Sequence, residues 1–323
     1  MTGAGGFVGR ALFKQLRATG HSAVGVDDLS APGSHLHPGV GRRRVEDLTD
    51  VDLAGIDSVV HLAAAKRVDA SFYNLDAVGR NLRSDTHLFQ LAYACRVPQL
   101  VFASTCEVYG AVVRDANRET HTPRPLSPYA VGKRASEQVL LSTRELYGAT
   151  KVSILRLFNV YGPDEALPAV VPAFLAARRA GLPLTIHGSG MQARDFSYIS
   201  DTVAMISTVI EASVAPSILN VGTGVATTIS EVAELVSTVG EHPHEILYEP
   251  GRPSEVPVLR SDTTLWRRCF GAVPSRTLAV GIRDCWTGSE YGEPSRSRPP
   301  LLLDWGATRG GLSPAEAQLQ SET

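Results

Sequence analysis

Four side chains suited to moving a proton to or from an alcohol lie within residues 101–133. Thr105 and Glu107 follow an apolar run, and Tyr129 and Lys133 stand four residues apart. Side chains at that spacing share one face of a helix, and a nearby ammonium favours the ionised form of a phenol. The stretch therefore predicts proton transfer from an alcohol, with Tyr129 as the base.

A strand and two helices must position these groups. The apolar run from Leu100 to Ala103 predicts a buried strand that delivers the hydroxyl and the carboxylate at its C-terminal end, where ligands bind in open α/β sheets. Pro128 suits a first helical position and indicates a helix from about Ser127 to Tyr147. Apolar residues at helical spacing predict a second, longer helix from about Phe72 to Cys95.

A glycine-rich turn stands at the start of the chain. Gly3, Gly6 and Gly9 have the T-G-x-x-G-x-x-G spacing, in which the backbone can approach a pyrophosphate closely. Asp27 follows the next predicted strand, where a carboxylate binds the adenosine ribose hydroxyls and repels the 2′-phosphate of NADP. The spacing therefore predicts an NAD site.

Composition and charge exclude several classes of partner. The 323 residues are 43% hydrophobic and 20% charged, with a net charge of −2, which gives no electrostatic basis for binding nucleic acid or an anionic membrane. No apolar run is long enough to span a bilayer. The four cysteines lie far apart without a CxxC spacing, so we expect reduced thiols in a cytoplasmic protein and no metal site.

Together these motifs resemble the extended short-chain dehydrogenase/reductase family, in particular its NAD-dependent nucleotide-sugar epimerases and dehydratases. The resemblance runs from about Thr2 to Thr287. It implies an α/β fold with a Rossmann-like doubly wound parallel sheet, a smaller α/β substrate-binding lobe, NAD as the cofactor, a nucleotide-diphosphate sugar as the substrate and a homodimer formed through the two helices. The implied divisions are an NAD-binding domain at 1–162 with 196–221 returning to it, and a substrate lobe at 163–195 and 222–287. The resemblance leaves out residues 288–323, whose content of Ser, Pro, Gly and Arg predicts a mostly disordered tail.

A strand that the family places before the glycine turn is missing from this sequence, where only Met1 stands. Loss of a central parallel strand would leave both neighbouring strands without hydrogen-bond partners. We therefore expect about six further apolar residues ahead of Met1. The run from Leu301 to Leu303 is the alternative segment for that slot.

The resemblance also implies a set of site residues. The implied cofactor contacts are Gly3, Gly6, Phe7, Val8, Gly9, Asp27, Asp47, Leu48, Leu62, Ala63, Ala64, Lys66, Asn81, Tyr129 and Lys133. The implied substrate contacts are Thr105, Asn159 in an R-x-x-N-x-Y-G-P segment, Arg194 in a G-x-G-x-x-x-R-D-F segment and Arg252 in P-G-R-P. The two arginines are expected to clamp the diphosphate, because guanidinium groups pair well with phosphate oxygens.

The implied chemistry begins with oxidation at C4 of the sugar. Tyr129 removes the hydroxyl proton while hydride passes to NAD, Thr105 hydrogen-bonds the same oxygen, and Lys133 lowers the pKa of Tyr129. We favour a 4-epimerase, in which the 4-keto sugar is reduced again from its other face.

The sequence leaves three alternatives to a 4-epimerase open. A 4,6-dehydratase and a UDP-glucuronate decarboxylase are alternatives because Thr105-Cys106-Glu107 matches their T-x-E triplet, although Cys106 stands where dTDP-glucose dehydratases have an Asp. Glu107 would act in catalysis in either of them. The non-enzyme alternative is a cofactor-free binding relative.

Overall fold

A computed structural model of the chain describes residues 1–111, 116–146, 148, 150–166, 168–240, 245–251 and 255–288. These residues fall within one compact unit, Met1–Gly292. Arg252, the run Leu301 to Leu303 and nearly all of the predicted tail lie outside the described residues.

Strands and helices alternate along most of the described chain. The strands are β1 (Gly25–Asp27), β2 (Val40–Arg42), β3 (Ser58–His61), β4 (Gln99–Thr105), β5 (Lys151–Leu157), β6 (Asn159–Tyr161), β7 (Leu184–His187), β8 (Ala193–Tyr198), β9 (Ile218–Val221), β10 (Ala226–Thr228), β11 (Ile246–Glu249) and β12 (Val258–Leu259). The helices are α1 (Phe7–Ala18), α2 (Asp50–Leu53), α3 (Val68–Ser71), α4 (Leu75–Ala94), α5 (Pro128–Thr143), α6 (Val170–Arg179), α7 (Ile199–Glu211), α8 (Ile229–Thr238), α9 (Thr264–Phe270) and α10 (Leu278–Thr287). Two short 3₁₀ turns are Val45–Asp47 and Cys106–Tyr109.

The main sheet is parallel and has helices on both faces. β3, β4, β5 and β9 are hydrogen-bonded in that order, and β1 pairs with β2. Val101 and Leu155 pack in one core with α1 and α7, whereas their neighbours Leu100 and Ile154 pack in a second core with α4 and α5. Because successive strand residues point to opposite faces, this arrangement confirms the predicted doubly wound α/β fold.

The slot between β1 and β3 is spanned by the first residues of the chain. Thr2 forms isolated bridges to both Val26 and His61. Its amide donates to the carbonyl of Val60 at 3.0 Å, and the amide of Val26 donates to the carbonyl of Met1 at 2.9 Å. The expectation of a longer preceding strand stays a prediction.

A second set of strands surrounds β8. β10 pairs with β8 in the antiparallel sense, and β6 and β12 pair with it in the parallel sense. The buried carboxylate of Asp195 on β8 accepts hydrogen bonds from the amides of Thr223, Gly224 and Ser261 at 2.9 to 3.1 Å. One carboxylate therefore ties β8 to the turn after β9 and to the segment after β12.

Helix α5 is held on the sheet by a buried ion pair. The Glu137 carboxylate on α5 accepts from Arg156 Nε at 2.9 Å and Nη2 at 2.8 Å, and from Ser104 Oγ at 2.6 Å. Arg156 and Ser104 belong to β5 and β4, and all three residues are buried. Since Tyr129 and Lys133 are on the same helix, this pair fixes the proton-transfer groups against the strand ends.

No helix among the described residues is long and apolar enough to cross a membrane. In the same residues, no group of three or more His, Cys, Asp or Glu side chains could hold a metal ion.

Replacing Glu137 by Gln should destabilise the protein by about 3–5 kcal/mol, because the buried guanidinium of Arg156 would be left without its counter-charge. Urea unfolding of the variant measures the loss. Glu145→Gln, at an exposed position just past α5, is the matched control and should cost less than about 0.5 kcal/mol. A Glu137→Gln variant as stable as the control would contradict this account of how α5 is held.

Candidate active site

The C-terminal ends of three adjacent strands meet at one edge of the sheet. His61 at the end of β3 lies opposite Phe102 on β4, and Thr105 at the end of β4 lies opposite Leu157 on β5. The residues that follow these strands therefore gather at the edge where open α/β sheets bind ligands. Asn159 begins β6 one residue beyond β5.

The glycine turn packs against the segment after β3. Gly3 has a φ of +67°, and a Cβ added there would lie 2.6 Å from the amide nitrogen of Ala63. A Cβ on Gly9 would lie 1.9 Å from the carbonyl oxygen of Gly3. Only glycine permits these approaches, so the turn, the start of α1 and residues 62–64 share one cradle.

The start of α1 suits a pyrophosphate. The residue before its first turn is Gly6, which has no side chain to cap the helix, and Phe7 and Val8 are the first helical residues. Uncapped amides at a helix N-terminus bind anions through hydrogen bonds and the helix dipole. The residues present therefore fit a dinucleotide at this position.

Asp27 lies directly beside this turn at the end of β1. Its carboxylate accepts from the amide of Gly5 at 2.9 Å and from that of Leu29 at 2.7 Å, and the residue is 7% exposed. The amide of Arg43 donates to the carbonyl of Asp27 at 3.0 Å, which brings the segment after β2 close. The position fits the predicted ribose contact.

Asp47 and Leu48 lie in and after the first 3₁₀ turn. The Asp47 carboxylate is paired with Arg44 Nη2 at 2.8 Å on the surface, and the hydrogen bond to Arg44 lowers the pKa of Asp47. Leu48 is buried, and its carbonyl is 3.0 Å from Nε2 of His87. Their contact with adenine stays a prediction.

The loop after β3 carries two more predicted cofactor contacts. The Asn81 side-chain amide accepts from the Ala65 amide at 2.9 Å and donates to the Ala65 carbonyl at 3.1 Å, so Asn81 anchors this loop. Lys66 Nζ lies 4.0 Å from Glu165 Oε1 and 5.8 Å from the centroid of the Phe7 ring. Burial raises the pKa of Glu165 to about 8, and the charge of Lys66 opposes that rise.

Tyr129 and Lys133 are both buried on α5, at 8% and 3% exposure. Nζ of Lys133 is 3.7 Å from Oδ2 of Asp85 on α4 and 4.4 Å from the centroid of the Phe102 ring. Burial raises the pKa of Tyr129, and the charges of Asp85 and Glu107 raise it further.

The structure gives the opposite direction to the expected lowering of the Tyr129 pKa by Lys133. Burial of the phenol raises the pKa, and Asp85 beside Lys133 compensates the charge of the ammonium.

Thr105, Cys106 and Glu107 form the turn that follows β4. Thr105 Oγ1 accepts from the amide of Glu107 at 3.2 Å and so caps the second 3₁₀ turn. Glu107 is partly exposed, yet the burial of its carboxylate raises its pKa, and the charge of Arg194 opposes that rise. Burial and the charge of Glu107 raise the pKa of the Cys106 thiol well above its usual range.

The predicted substrate contacts lie in different surroundings. Asn159 Oδ1 is buried and has no hydrogen-bond partner among the described residues, so it can accept from a ligand. Arg194 Nη2 lies 3.1 Å from Glu255 Oε1, and its Nη1 donates to the Val256 carbonyl at 2.7 Å. A phosphate bound by Arg194 would replace Glu255 as the ionic partner of the guanidinium. Arg252 lies outside the described residues.

Two buried acids beside the site were missed in the sequence. Asp85 faces the core on α4, close along the helix to the buried residues Leu88, Phe89 and Ala92. Glu137 occupies the buried face of α5. A charged residue within the apolar face of an amphipathic helix is the signal that could have revealed both.

The Cys106 thiol should be unreactive in the folded protein, because its raised pKa leaves almost no thiolate at pH 8. Iodoacetamide labelling followed by peptide mass spectrometry measures this. Cys269 is an exposed free thiol and serves as the internal control that labels readily. Labelling of Cys106 at the rate of Cys269 would contradict the described burial.

Known proteins match this chain over most of its length. The model of the "NAD dependent epimerase/dehydratase family" matches residues 1–222. UDP-glucose 4-epimerase of Mycolicibacterium smegmatis is 32% identical over 299 residues, which cover 87% of this chain and 95% of that protein.

Two solved structures have closely similar folds. The NAD-dependent NDP-hexosamine 5,6-dehydratase TunA superposes with a TM-score of 0.84 at 33% identity, covering 89% of this chain and 96% of that one. MoeE5 in complex with UDP-glucuronic acid and NAD has a TM-score of 0.80 at 31% identity, covering 89% of this chain and 97% of that one. With NAD as its cofactor, this chain belongs to the NAD-dependent epimerase/dehydratase family of extended short-chain dehydrogenase/reductases that act on nucleotide sugars.

Proposed function

We propose that the protein is a nucleotide-sugar 4-epimerase. The observation that carries the proposal is the joint arrangement of Thr105 at the end of β4 and of Tyr129 and Lys133 on the helix fixed against that strand. Three proton-handling groups beside a dinucleotide cradle suit oxidation of a secondary alcohol and the reverse reduction.

Each of these side chains has a defined task in the proposal. The glycine turn and Asp27 hold NAD, which when bound supplies the acceptor and later the donor of hydride. Tyr129 Oη takes the proton of the C4 hydroxyl and returns it after the 4-keto sugar has rotated to present its other face to the cofactor. Thr105 Oγ1 hydrogen-bonds the same oxygen. Lys133 keeps a positive charge one helical turn from Tyr129, which stabilises the phenolate that forms when the proton moves.

The neighbourhood of Thr105 supports epimerisation over elimination. Loss of water from a 4-keto sugar needs a base at C5 and an acid for the leaving hydroxyl. The turn after β4 carries one carboxylate, Glu107, next to the Cys106 thiol, and a neutral thiol with a raised pKa is a poor proton donor. The pair that elimination requires is therefore incomplete in this turn.

A dehydratase is the second candidate, and Glu107 favours it. An epimerase has no task for this carboxylate, whereas the raised pKa of Glu107 suits a group that exchanges a proton during catalysis. The 33% identity to a 5,6-dehydratase also supports this candidate. The UDP-glucuronic acid bound by MoeE5 makes a uronate one of the substrates to be tested.

Incubation with NAD and UDP-glucose, UDP-glucuronate or dTDP-glucose in D₂O tests the proposal. We expect two C4 epimers of unchanged mass, observed by NMR, and no deuterium at C5. Tyr129→Phe should lower the rate by about 100-fold or more, whereas Tyr248→Phe, at an exposed position on β11, is the matched control. Loss of water or carbon dioxide, or deuterium at C5, would overturn the epimerase in favour of elimination or decarboxylation.

Glu107→Gln separates the two candidates further. Epimerisation should survive this change, because the carboxylate has no part in the proposed proton transfers. Loss of turnover in the variant with retained NAD binding would favour the dehydratase.

We also infer a substrate lobe built from residues 163–195 and 222–287. The strands around β8, which Asp195 connects by hydrogen bonds, support this lobe. Arg194, the adjacent residue on β8, is close enough to Glu107 for its charge to oppose the rise of the Glu107 pKa. A cytoplasmic location is proposed on the basis that all four cysteines are free thiols.

A homodimer through α4 and α5 completes the proposal. Exposed apolar side chains lie in and just before the first turns of the two helices, namely Phe72, Tyr73 and Leu75 near α4 and Leu126 and Val131 near α5. A second copy of the same surface would remove these side chains from water.

Val131→Asp should convert the dimer to a monomer, because a carboxylate would be buried without a partner in the interface. Sedimentation velocity measures the state of assembly. Val214→Asp, which changes a side chain that is 81% exposed beyond α7, is the control and should leave the dimer intact. A monomeric wild-type protein would contradict the proposed interface.

A further inference from the structure

A carboxylate that the proposed reaction does not use lies against Lys133. Asp85 is 1% exposed, and its Oδ2 accepts from Ser136 Oγ at 2.6 Å and lies 3.7 Å from Lys133 Nζ. Its Oδ1 is 2.9 Å from Nε2 of His61. The ring N–H of His61 is not aligned with that oxygen, so the contact is electrostatic and is not a well-formed hydrogen bond.

The contacts continue from His61 to the glycine turn. Nδ1 of His61 is 2.6 Å from Thr2 Oγ1, which lies 3.4 Å from the amide of Ala63 and accepts from it. The imidazole is packed against the rings of Phe89 and Phe102. A continuous buried chain thus joins the dinucleotide cradle to Lys133 through His61 and Asp85.

Other charged and titratable groups near Lys133 have separate partners or lie further away. On its own helix, Glu137 is bound by Arg156, and Tyr129 is a neutral phenol. In the turn after β4, the acid is Glu107, beside the neutral thiol of Cys106. Among the described residues, Asp85 is the carboxylate found within 4.0 Å of Lys133 Nζ.

We propose that Asp85 is a positioning residue for Lys133. It favours the charged form of an ammonium that is buried, and its own contacts with Ser136 and His61 fix the carboxylate that the ammonium faces. The inference rests on the proposed NAD site and on Lys133 as one of its implied cofactor contacts, whose ammonium would hydrogen-bond a ribose hydroxyl of the dinucleotide.

The physical basis is the cost of burying an unpaired cation. Burial lowers the pKa of Lys133, and the charge of Asp85, 3.7 Å away, opposes that lowering, as does the charge of Glu137. Without this carboxylate, the ammonium loses its proton at a lower pH. A neutral amine attracts the anionic dinucleotide less and makes a weaker hydrogen bond to a ribose hydroxyl.

The test is NAD affinity as a function of pH, measured by calorimetry on the whole protein without any sugar. Because Asp85 opposes the lowering of the Lys133 pKa, we expect the affinity of Asp85→Asn to fall at a lower pH than that of the wild type. In Asp85→Asn we expect equal affinity at pH 6 and a loss of about tenfold by pH 9, the loss of one charge-assisted hydrogen bond. Asp76→Asn, at an exposed position on the same helix, is the matched control and should behave as wild type.

A double-variant cycle excludes a merely structural effect. In a Lys133→Met background, Asp85→Asn should no longer alter the pH dependence of NAD affinity. An Asp85→Asn protein with a wild-type profile, or an effect that persists in the Lys133→Met background, would overturn the proposal.

Folding of the variants is itself informative. Should Asp85→Asn alone fail to fold, the double variant leaves no unpaired buried charge and is expected to fold. Recovery of folding then supports the pairing, whereas a double variant that stays unfolded beside a folded Lys133→Met protein would overturn it. Since no sugar is present, a wrong assignment of the epimerase reaction would leave these outcomes unchanged.

Discussion

The buried ion pair between Glu137 and Arg156 is the interaction on which the candidate site depends. It joins α5 to β5, and the hydrogen bond from Ser104 joins the same carboxylate to β4 one residue before Thr105. Burying two charges costs several kcal/mol in desolvation, which a bidentate geometry with further hydrogen bonds can offset. The pair therefore fixes the position of α5 more than it adds net stability. That position determines where the phenol of Tyr129 would meet a substrate hydroxyl.

Close backbone approach is the second constraint. The glycine turn can lie against the end of β3 only because Gly3 and Gly9 lack side chains, and Thr2 links β1 to β3 at the same place. The dinucleotide cradle is consequently built from backbone rather than from side chains. Side chains contribute at the edges of the cradle. There the Asp27 carboxylate accepts a hydrogen bond from a backbone amide of the turn, and Asn81 holds the loop after β3.

The fold, and the placement of Tyr129 and Lys133 on one helix after the strand that ends in Thr105, could be predicted because their signals are local. The spacing of four residues is enough to predict that Tyr129 and Lys133 share one face of a helix. The spacing of the glycines is enough to predict the dinucleotide turn. Asp85 could not be placed in the same way, since its partners come from β3 and α5, far away in the sequence. The raised pKa of Tyr129 could not be predicted from the spacing either, because it results first from burial of the phenol and then from the charges of Asp85 and Glu107, which lie on other elements.

The charges along α5 explain how a buried tyrosine could serve as a base at all. Lys133 and Glu137 lie on adjacent turns of α5, yet their charges are balanced from different elements. Asp85 on α4 faces Lys133, and Arg156 on β5 pairs with Glu137. The charges on α5 are therefore balanced by neighbouring elements, while burial raises the pKa of Tyr129. In the proposed reaction, the ammonium of Lys133, one helical turn from the phenol, would stabilise the phenolate as the proton leaves. Because Asp85 opposes the loss of charge from that buried ammonium, the proposed reaction and the proposed role of Asp85 depend on the same contact.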